Sequence, residues 1–142
     1  MMLDFNKKFK VEKLYVTSIG NWTISLRPEQ PTIGSLILSL SRTCSSLSEL
    51  TEQESIDLGK AFSAIEIIFH KTFKPEKINY LALMMVDDQV HFHVLPRYSE
   101  VIYFENKEFK DECWPVAHNL QSLSQIDSFV MEKIQKLFSL IY

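Results

Sequence analysis

Residues 86–97 read Val86-Asp87-Asp88-Gln89-Val90-His91-Phe92-His93-Val94-Leu95-Pro96-Arg97, and two of the chain's four histidines fall here, two residues apart. In a β-strand successive side chains point to opposite faces, so Gln89, His91 and His93 line one face and Val90, Phe92 and Val94 the other. The apolar face belongs to a core. The polar face is a candidate site.

Working outward, Asn79 to Val86 also has strand character, and Asp87-Asp88 between the two runs predicts a hairpin. Pro96 ends the second strand. Upstream, Thr51 and Glu54 have the spacing of a capping box, after which Leu58, Ala61, Phe62, Ile65, Ile68 and Phe69 recur at helical intervals. This predicts a long helix from about Glu52 to Lys71, with His70 in its last turn, where the helix dipole favours a cation and the residue has a structural reading. Earlier still, Val11–Ser18, Trp22–Leu26 and Ile33–Leu40 are rich in β-branched or aromatic residues. Gly20-Asn21 and Arg27-Pro28-Glu29-Gln30-Pro31 separate them as turn signals, and the connections are too short for crossover helices, so they form an antiparallel meander.

Downstream of the motif, residues 97–120 read as a loop or short irregular elements packed by Tyr98, Tyr103, Phe104, Phe109 and Trp114. From Ser124 to Tyr142 a second amphipathic helix is expected, with Ile126, Val130, Ile134, Leu137 and Ile141 on one face. The pattern predicts an α+β fold: a single antiparallel sheet of about five strands, one long helix and a C-terminal helix, in one domain spanning residues 1–142.

A hydrophobic fraction of 46% against 23% charged residues excludes a disordered chain. A net charge of −3 gives no footprint for long nucleic acid, which is held by many Lys and Arg on phosphates. A small phosphorylated ligand needs only a few local groups. Cys44 and Cys113 form no Cys-x-x-Cys pair and read as free thiols in a reducing compartment. The opening MMLDFNKKFK lacks the apolar core of a signal peptide, and no apolar run approaches the roughly 18–20 residues that span a bilayer. A cytoplasmic protein without membrane contact is the expectation.

Four readings compete for the histidine pair. Structural hydrogen bonding is the plainest, but burying two imidazoles and an amide costs free energy unless every polar atom finds a partner. A solvent-reachable pocket answers that cost better. A metal site would need three or four ligands, with Cys113 or His118 as further candidates, and none is expected. Nucleophilic catalysis is the third reading: near pH 7 a neutral imidazole can attack phosphorus without a separate base if its other nitrogen is held. The fourth is a pocket that binds a nucleotide without turning it over.

Gln89-Val90-His91-Phe92-His93-Val94-Leu95-Pro96-Arg97 resembles the signature of the histidine triad nucleotide hydrolases and transferases, His-φ-His-φ-His-φ-φ with φ apolar, often followed by Pro-Arg. The likeness covers most of the chain. Residues 26–40, LRPEQPTIGSLILSL with Gly34 at the strand's start, resemble the family's loop and strand before the long helix, and residues 104–115, FENKEFKDECWP, resemble a tail of some bacterial members. The chain is thus similar to a bacterial, diadenosine-polyphosphate-hydrolase-like member with Gln89 in place of the first triad histidine.

That resemblance implies the fold, a homodimer, a purine nucleotide as substrate and no cofactor. It implies hydrolysis or nucleotidyl transfer at the α-phosphate of a phosphate ester, anhydride or phosphoramidate. His91 matches the attacking histidine that forms a nucleotidyl-histidine intermediate, and His93 matches the one that hydrogen-bonds near the phosphate or leaving group. Gln89 can still donate and accept hydrogen bonds but takes up no proton. Three departures accompany the likeness: Gln89 itself, a phosphate loop read as shortened to Asp87-Asp88, and Arg27 at the ribose position usually held by Asn or Asp. Around it, Glu29 can accept from ribose hydroxyls and Gln30 lies nearby, the alternative being a solvated turn. Arg97 has two readings, a phosphate contact or an ion pair with Glu100 or Glu105. Asn79 likewise reads as a pocket contact or a strand-start hydrogen bond. The runner-up function is a nucleotide-binding protein with little or no turnover.

Overall fold

The motif forms the strand that its alternation requires, and the rest of the fold is organised around it. The computed structural model describes residues 1–121 and 126–142. In chain order its elements are α1 (Met2–Lys8), β1 (Tyr15–Ile19), β2 (Trp22–Leu26), β3 (Leu36–Leu40), α2 (Glu52–Lys71), β4 (Lys77–Leu81), β5 (His91–Arg97), β6 (Ile102–Phe104), β7 (Lys107–Phe109) and α3 (Ser128–Ile141), with a short 3-10 turn at Leu47–Glu49 before α2. The five longer strands make an antiparallel sheet in the order β1-β2-β3-β5-β4, and β6 and β7 pair as a separate small hairpin. This is the α+β architecture expected, a five-stranded antiparallel sheet with one long and one C-terminal helix.

Register places the two faces. Leu36 pairs with Val94, Ile37 with His93, Leu38 with Phe92 and Ser39 with His91. Leu36, Leu38, Val90 and Val94 are fully buried on the helical side. There α2 packs on β1 and β2, while α3 packs on β1 and α2. The Thr51 side chain accepts from Glu54 N–H and the Glu54 carboxylate accepts from Thr51 N–H, closing the capping box and stabilising the helix start by about 1 kcal/mol. Trp22 Nε1 donates to the Glu54 carbonyl at 2.8 Å, tying that helix start to β2. Ala61, Ala64, Ile65, Ile68 and Phe69 are buried along α2, and Val130, Met131, Ile134 and Phe138 along α3. The buried stripe of α3 thus runs through Met131 and Phe138, with Leu137 and Ile141 at its partly exposed flank. Ile126 lies before the helix, and the expected start at Ser124 falls outside the described residues.

The structure corrects several expected boundaries. Val11 to Leu14 is turn rather than strand, and β3 begins at Leu36 because Ile33 and Gly34 turn the chain. Gly34 has φ +89°, and a Cβ there would stand 3.1 Å from the Phe73 ring and 3.3 Å from that of Phe138, so both backbone and space call for glycine. The largest correction concerns Asn79–Val86. β4 ends at Leu81, paired with His93, and the chain from Ala82 to Val90 is an excursion rather than a two-residue hairpin turn at Asp87-Asp88. Met84, with φ +42°, is incompatible with continued strand. The loop before the motif therefore runs from Ala82 to Val90 and is not confined to Asp87-Asp88. The opening residues, for which no element was expected, form α1, which covers the sheet face opposite α2 by burying Phe5 and Phe9 with Val11 against Ile37.

Among the described residues no helix is long and apolar enough to cross a membrane.

Candidate active site

Two layers meet over β5. His91 and His93 project from the face that α1 covers, and the Phe5 ring lies 4.8 Å from the His91 ring, with Phe9 5.9 Å from His91 and 6.0 Å from His93. Beside them opens a cleft of about 370 Å³, bordered by Lys8, Arg27, Glu29, Asp87 and the two histidines. Leu83, Met84, Met85 and Val86, from the excursion after β4, form its apolar side. An apolar run that reads as strand is in fact a cleft wall, which is why its composition misled.

The polar atoms of the histidines form one directed chain. His91 Nδ1 contacts the Gln89 carbonyl, an acceptor only, so Nδ1 carries the proton and Nε2 the lone pair. That Nε2 lies 3.3 Å from His93 Nε2. Arg27 Nε donates to His93 Nδ1 at 3.3 Å, which makes Nδ1 the acceptor and puts the His93 proton on Nε2, directed at His91. The sequence of donors is Arg27 to His93 to His91 to the Gln89 carbonyl. The His91 Nε2 lone pair accepts from His93 and is freed for chemistry when that donor turns to another acceptor.

Electrostatics keep both rings neutral. Burial, aided by Lys8 and Arg27 and opposed by the Gln89 carbonyl and Asp87, holds His91 below the ordinary 6.5. Burial and then the Arg27 charge and the neighbouring His91 push His93 down to about 3. Arg27 is itself desolvated, which lowers its pKa although Glu29 pulls the other way. A neutral imidazole with one nitrogen held by a carbonyl is the form of histidine able to attack an electrophile.

The other expected site residues are distributed differently. Gln89 is fully buried, but its side chain turns away from the cleft: Nε2 donates to the carbonyls of Leu40 and Arg42 at 2.8 and 2.7 Å, and Oε1 accepts from Cys44 N–H at 3.3 Å. It clamps the backbone after β3 and reaches His91 through its own carbonyl. Gln89→Ala is expected to leave these groups unsatisfied and to cost about 1–3 kcal/mol, read as a lower urea midpoint at unchanged m-value.

Gln30 also works as a clamp, donating to the carbonyls of Arg27 and Ser35 and accepting from the N–H groups of Gly34 and Ser35. Glu29 stays at the cleft edge, and its carbonyl accepts from Arg27 Nη1 at 2.9 Å. Asn79 and Arg97 lie further along the same sheet face, bordering a different cavity with Trp114 and Val116. Arg97 is held by Asp111 at 2.7 and 3.2 Å, by Asn79 Oδ1 at 2.8 Å and by the Val116 carbonyl at 2.7 Å, so the ion pair anticipated with Glu100 or Glu105 forms with Asp111 instead. Cys113 and His118 border yet another cavity, and among the described residues no group of three or more His, Cys, Asp or Glu could hold a metal ion.

Lys8, Phe5 and Phe9 were not read as site residues. The signal available was the four-residue spacing of the two phenylalanines in MMLDFNKKFK, which places them on one helix face.

No protein-family model matches this chain, and no curated protein matches its sequence. Solved structures do match. A histidine triad protein of Sinorhizobium meliloti superposes with a TM-score of 0.74 at 19% identity over 94% of this chain and 93% of that one. One from Bradyrhizobium japonicum gives 0.72 at 14% identity over 94% and 95%. Diadenosine triphosphate hydrolase of Plasmodium falciparum gives 0.61 at 14% identity over 92% and 74%. With the five-stranded antiparallel sheet, the long helix and the C-terminal helix in place, the chain has the fold of the histidine triad proteins.

Proposed function

We propose that this chain is a nucleotide hydrolase or nucleotidyl transferase that works at the α-phosphorus of a nucleoside phosphate. The observation that carries the reading is the directed hydrogen-bond chain, which leaves the His91 Nε2 lone pair on the His93 side of a cleft that also holds Lys8 and Arg27. The likeness in fold to a diadenosine triphosphate hydrolase supports the substrate class.

In this mechanism His91 Nε2 attacks the α-phosphorus and forms a P–N bond as the bond to the leaving group breaks. The Gln89 carbonyl holds Nδ1–H as positive charge develops on the ring. His93 Nε2–H turns from His91 to an oxygen of the phosphate or leaving group, and Arg27 fixes the tautomer that makes this donation available. Water then attacks phosphorus and returns the electron pair to His91. Hydrogen bonds extend the proposal to Gln89 as a backbone anchor of the site, Gln30 with Glu29 as shapers of the ribose end, and Asn79 and Arg97 as outer supports in place of direct nucleotide contacts. The motif's resemblance extends it to purine preference, homodimers and a cytoplasmic setting.

The experiment is product analysis by chromatography with diadenosine tetraphosphate, adenosine phosphoramidate and a nucleotide sugar, with His91→Ala alongside. Turnover lost in the variant supports the reading, and turnover retained refutes it. The second reading, binding without turnover, has one observation in its favour: His91 is only 2% exposed beneath Phe5. In that case nucleotides raise the melting temperature and emerge unchanged.

The pH profile follows from the two depressed histidines. Loss of activity on the acid side requires protonation of His91, so kcat/KM is expected to stay level from pH 8 down past the ordinary histidine value of 6.5 and to fall only below it. Arg27→Gln removes a charge that disfavours imidazolium on both rings, so it moves the acid limb upward, while burial, the larger cause, keeps it below that of a free histidine. An unmoved limb would detach Arg27 from the histidine pair.

A further inference from the structure

Asp87 and Lys8 face each other across the mouth of the cleft, from the excursion before β5 and the last turn of α1 respectively. Lys8 Nζ donates to both carboxylate oxygens of Asp87, at 2.8 and 3.1 Å. The side chains are 51% and 22% exposed, so the pair is weakly held and readily exchanged. Among the described residues bordering the cleft, only Lys8 and Arg27 are cationic. Arg27 is engaged: its Nε is on His93, its Nη1 on the Glu29 carbonyl, and it is 7% exposed. Lys8 is the cation that can change partner.

We propose that Lys8 selects the leaving group, giving up Asp87 for the first phosphate beyond the one that His91 attacks. The proposal rests on the catalytic reading above and narrows its substrate class to nucleoside polyphosphates, whose leaving group departs as an anion. The directed hydrogen-bond chain leaves His93 with a neutral N–H to donate and no imidazolium proton to give away, so an amine leaving group must draw its proton from solvent and departs slowly, while a phosphate needs none. As the anhydride bond breaks, the neighbouring phosphate gains charge on the former bridging oxygen and comes to offer three oxygens and more negative charge than a carboxylate, which favours the exchange in the transition state.

The step balances within the cleft. His91 Nε2 forms a bond to the α-phosphorus, the bond from that phosphorus to the bridging oxygen breaks, and the electron pair leaves on the bridging oxygen, where Lys8 neutralises it. Water next forms the new P–O bond as the P–N pair returns to His91. One water proton stays with the nucleotide or the phosphate, and the other goes to solvent.

The test is the ratio of kcat/KM for diadenosine tetraphosphate to that for adenosine phosphoramidate, in the wild-type chain, Lys8→Gln and Lys8→Arg. Lys8→Gln is expected to lower the anhydride value about 10- to 100-fold, the scale of one charge-assisted hydrogen bond, and the phosphoramidate value less than about twofold, with Lys8→Arg restoring most of the loss. An equal effect on both substrates, or none on either, overturns the assignment while leaving His91 catalysis standing. Binding is read separately as the Kd values of ADP and AMP on His91→Ala. Adding Lys8→Gln there should weaken ADP about tenfold or more and AMP less than about twofold. If the wild-type chain turns over none of the substrates, that binding result would retain Lys8 as a phosphate ligand and reject the catalytic reading. Equal weakening of ADP and AMP would reject Lys8.

Discussion

His91→Ala is expected to lower turnover on the order of 10⁶-fold, the scale on which loss of an attacking group is felt once it acts as a unit with its partners. The ring provides the lone pair that meets phosphorus, and no neighbour replaces it: His93 Nε2 bears a proton and its Nδ1 accepts from Arg27. His91 is buried beside Phe5 and Phe9, so the variant leaves a space about the size of an imidazole. Two controls keep the result interpretable. The melting curve must remain cooperative, and imidazole added to His91→Ala should restore measurable turnover by occupying that space. Full activity in a folded His91→Ala would end the nucleophile assignment.

The second large effect is on stability. Arg97 and Asp111 form an ion pair whose side chains are 4% and 0% exposed, and Asp111 also accepts from Tyr98 N–H and Cys113 N–H. Removing one partner strands the other charge in the interior, which costs about 3–5 kcal/mol. Arg97→Met is therefore expected to lower the urea midpoint far more than Gln89→Ala, and the double variant Arg97→Met/Asp111→Leu to recover much of the loss. Burial pushes the Asp111 carboxyl up, but the Arg97 hydrogen bonds and the two N–H donors outweigh it and hold the carboxyl below its ordinary 3.8. The sign follows: the unfolded chain binds this proton first, so the stabilisation is complete above that ordinary value and is lost as pH falls through the depressed one. Denaturation at a series of acid pH values would show a smaller acid loss in Asp111→Asn than in the wild-type chain.

How much of this could be read from residues depends on the range over which each signal acts. β5 was legible because strand alternation is local: Val90 and Val94 are buried in the helical core and His91 and His93 face the cleft, as period two demands. The start of α2 was legible from Thr51 and Glu54 for the same reason. The run after Leu81 was misread because apolar residues were taken to belong to a core, whereas Met85 and Val86 are 81% and 86% exposed at the cleft wall. Gln89 was placed on the correct strand face but could not be turned correctly, since its partners lie at Leu40, Arg42 and Cys44. The pairing of Arg97 with Asp111 joins β5 to a loop beyond the small hairpin, and closer acids such as Glu100 and Glu105 competed for it on paper. The contribution of α1 was not legible because Phe5 and Phe9 are buried against Val11 and Ile37, and Ile37 is brought beside them only by the folded sheet.

A covalent intermediate on His91 is tested most directly by stereochemistry at phosphorus, which does not require that intermediate to accumulate. A dinucleoside polyphosphate with a chiral α-phosphorothioate would be hydrolysed in ¹⁸O-water and the configuration of the nucleotide product read by ³¹P NMR. Two successive in-line displacements, by His91 Nε2 and then by water, predict retention. Inversion would mean that water attacks directly, and would contradict the role of His91.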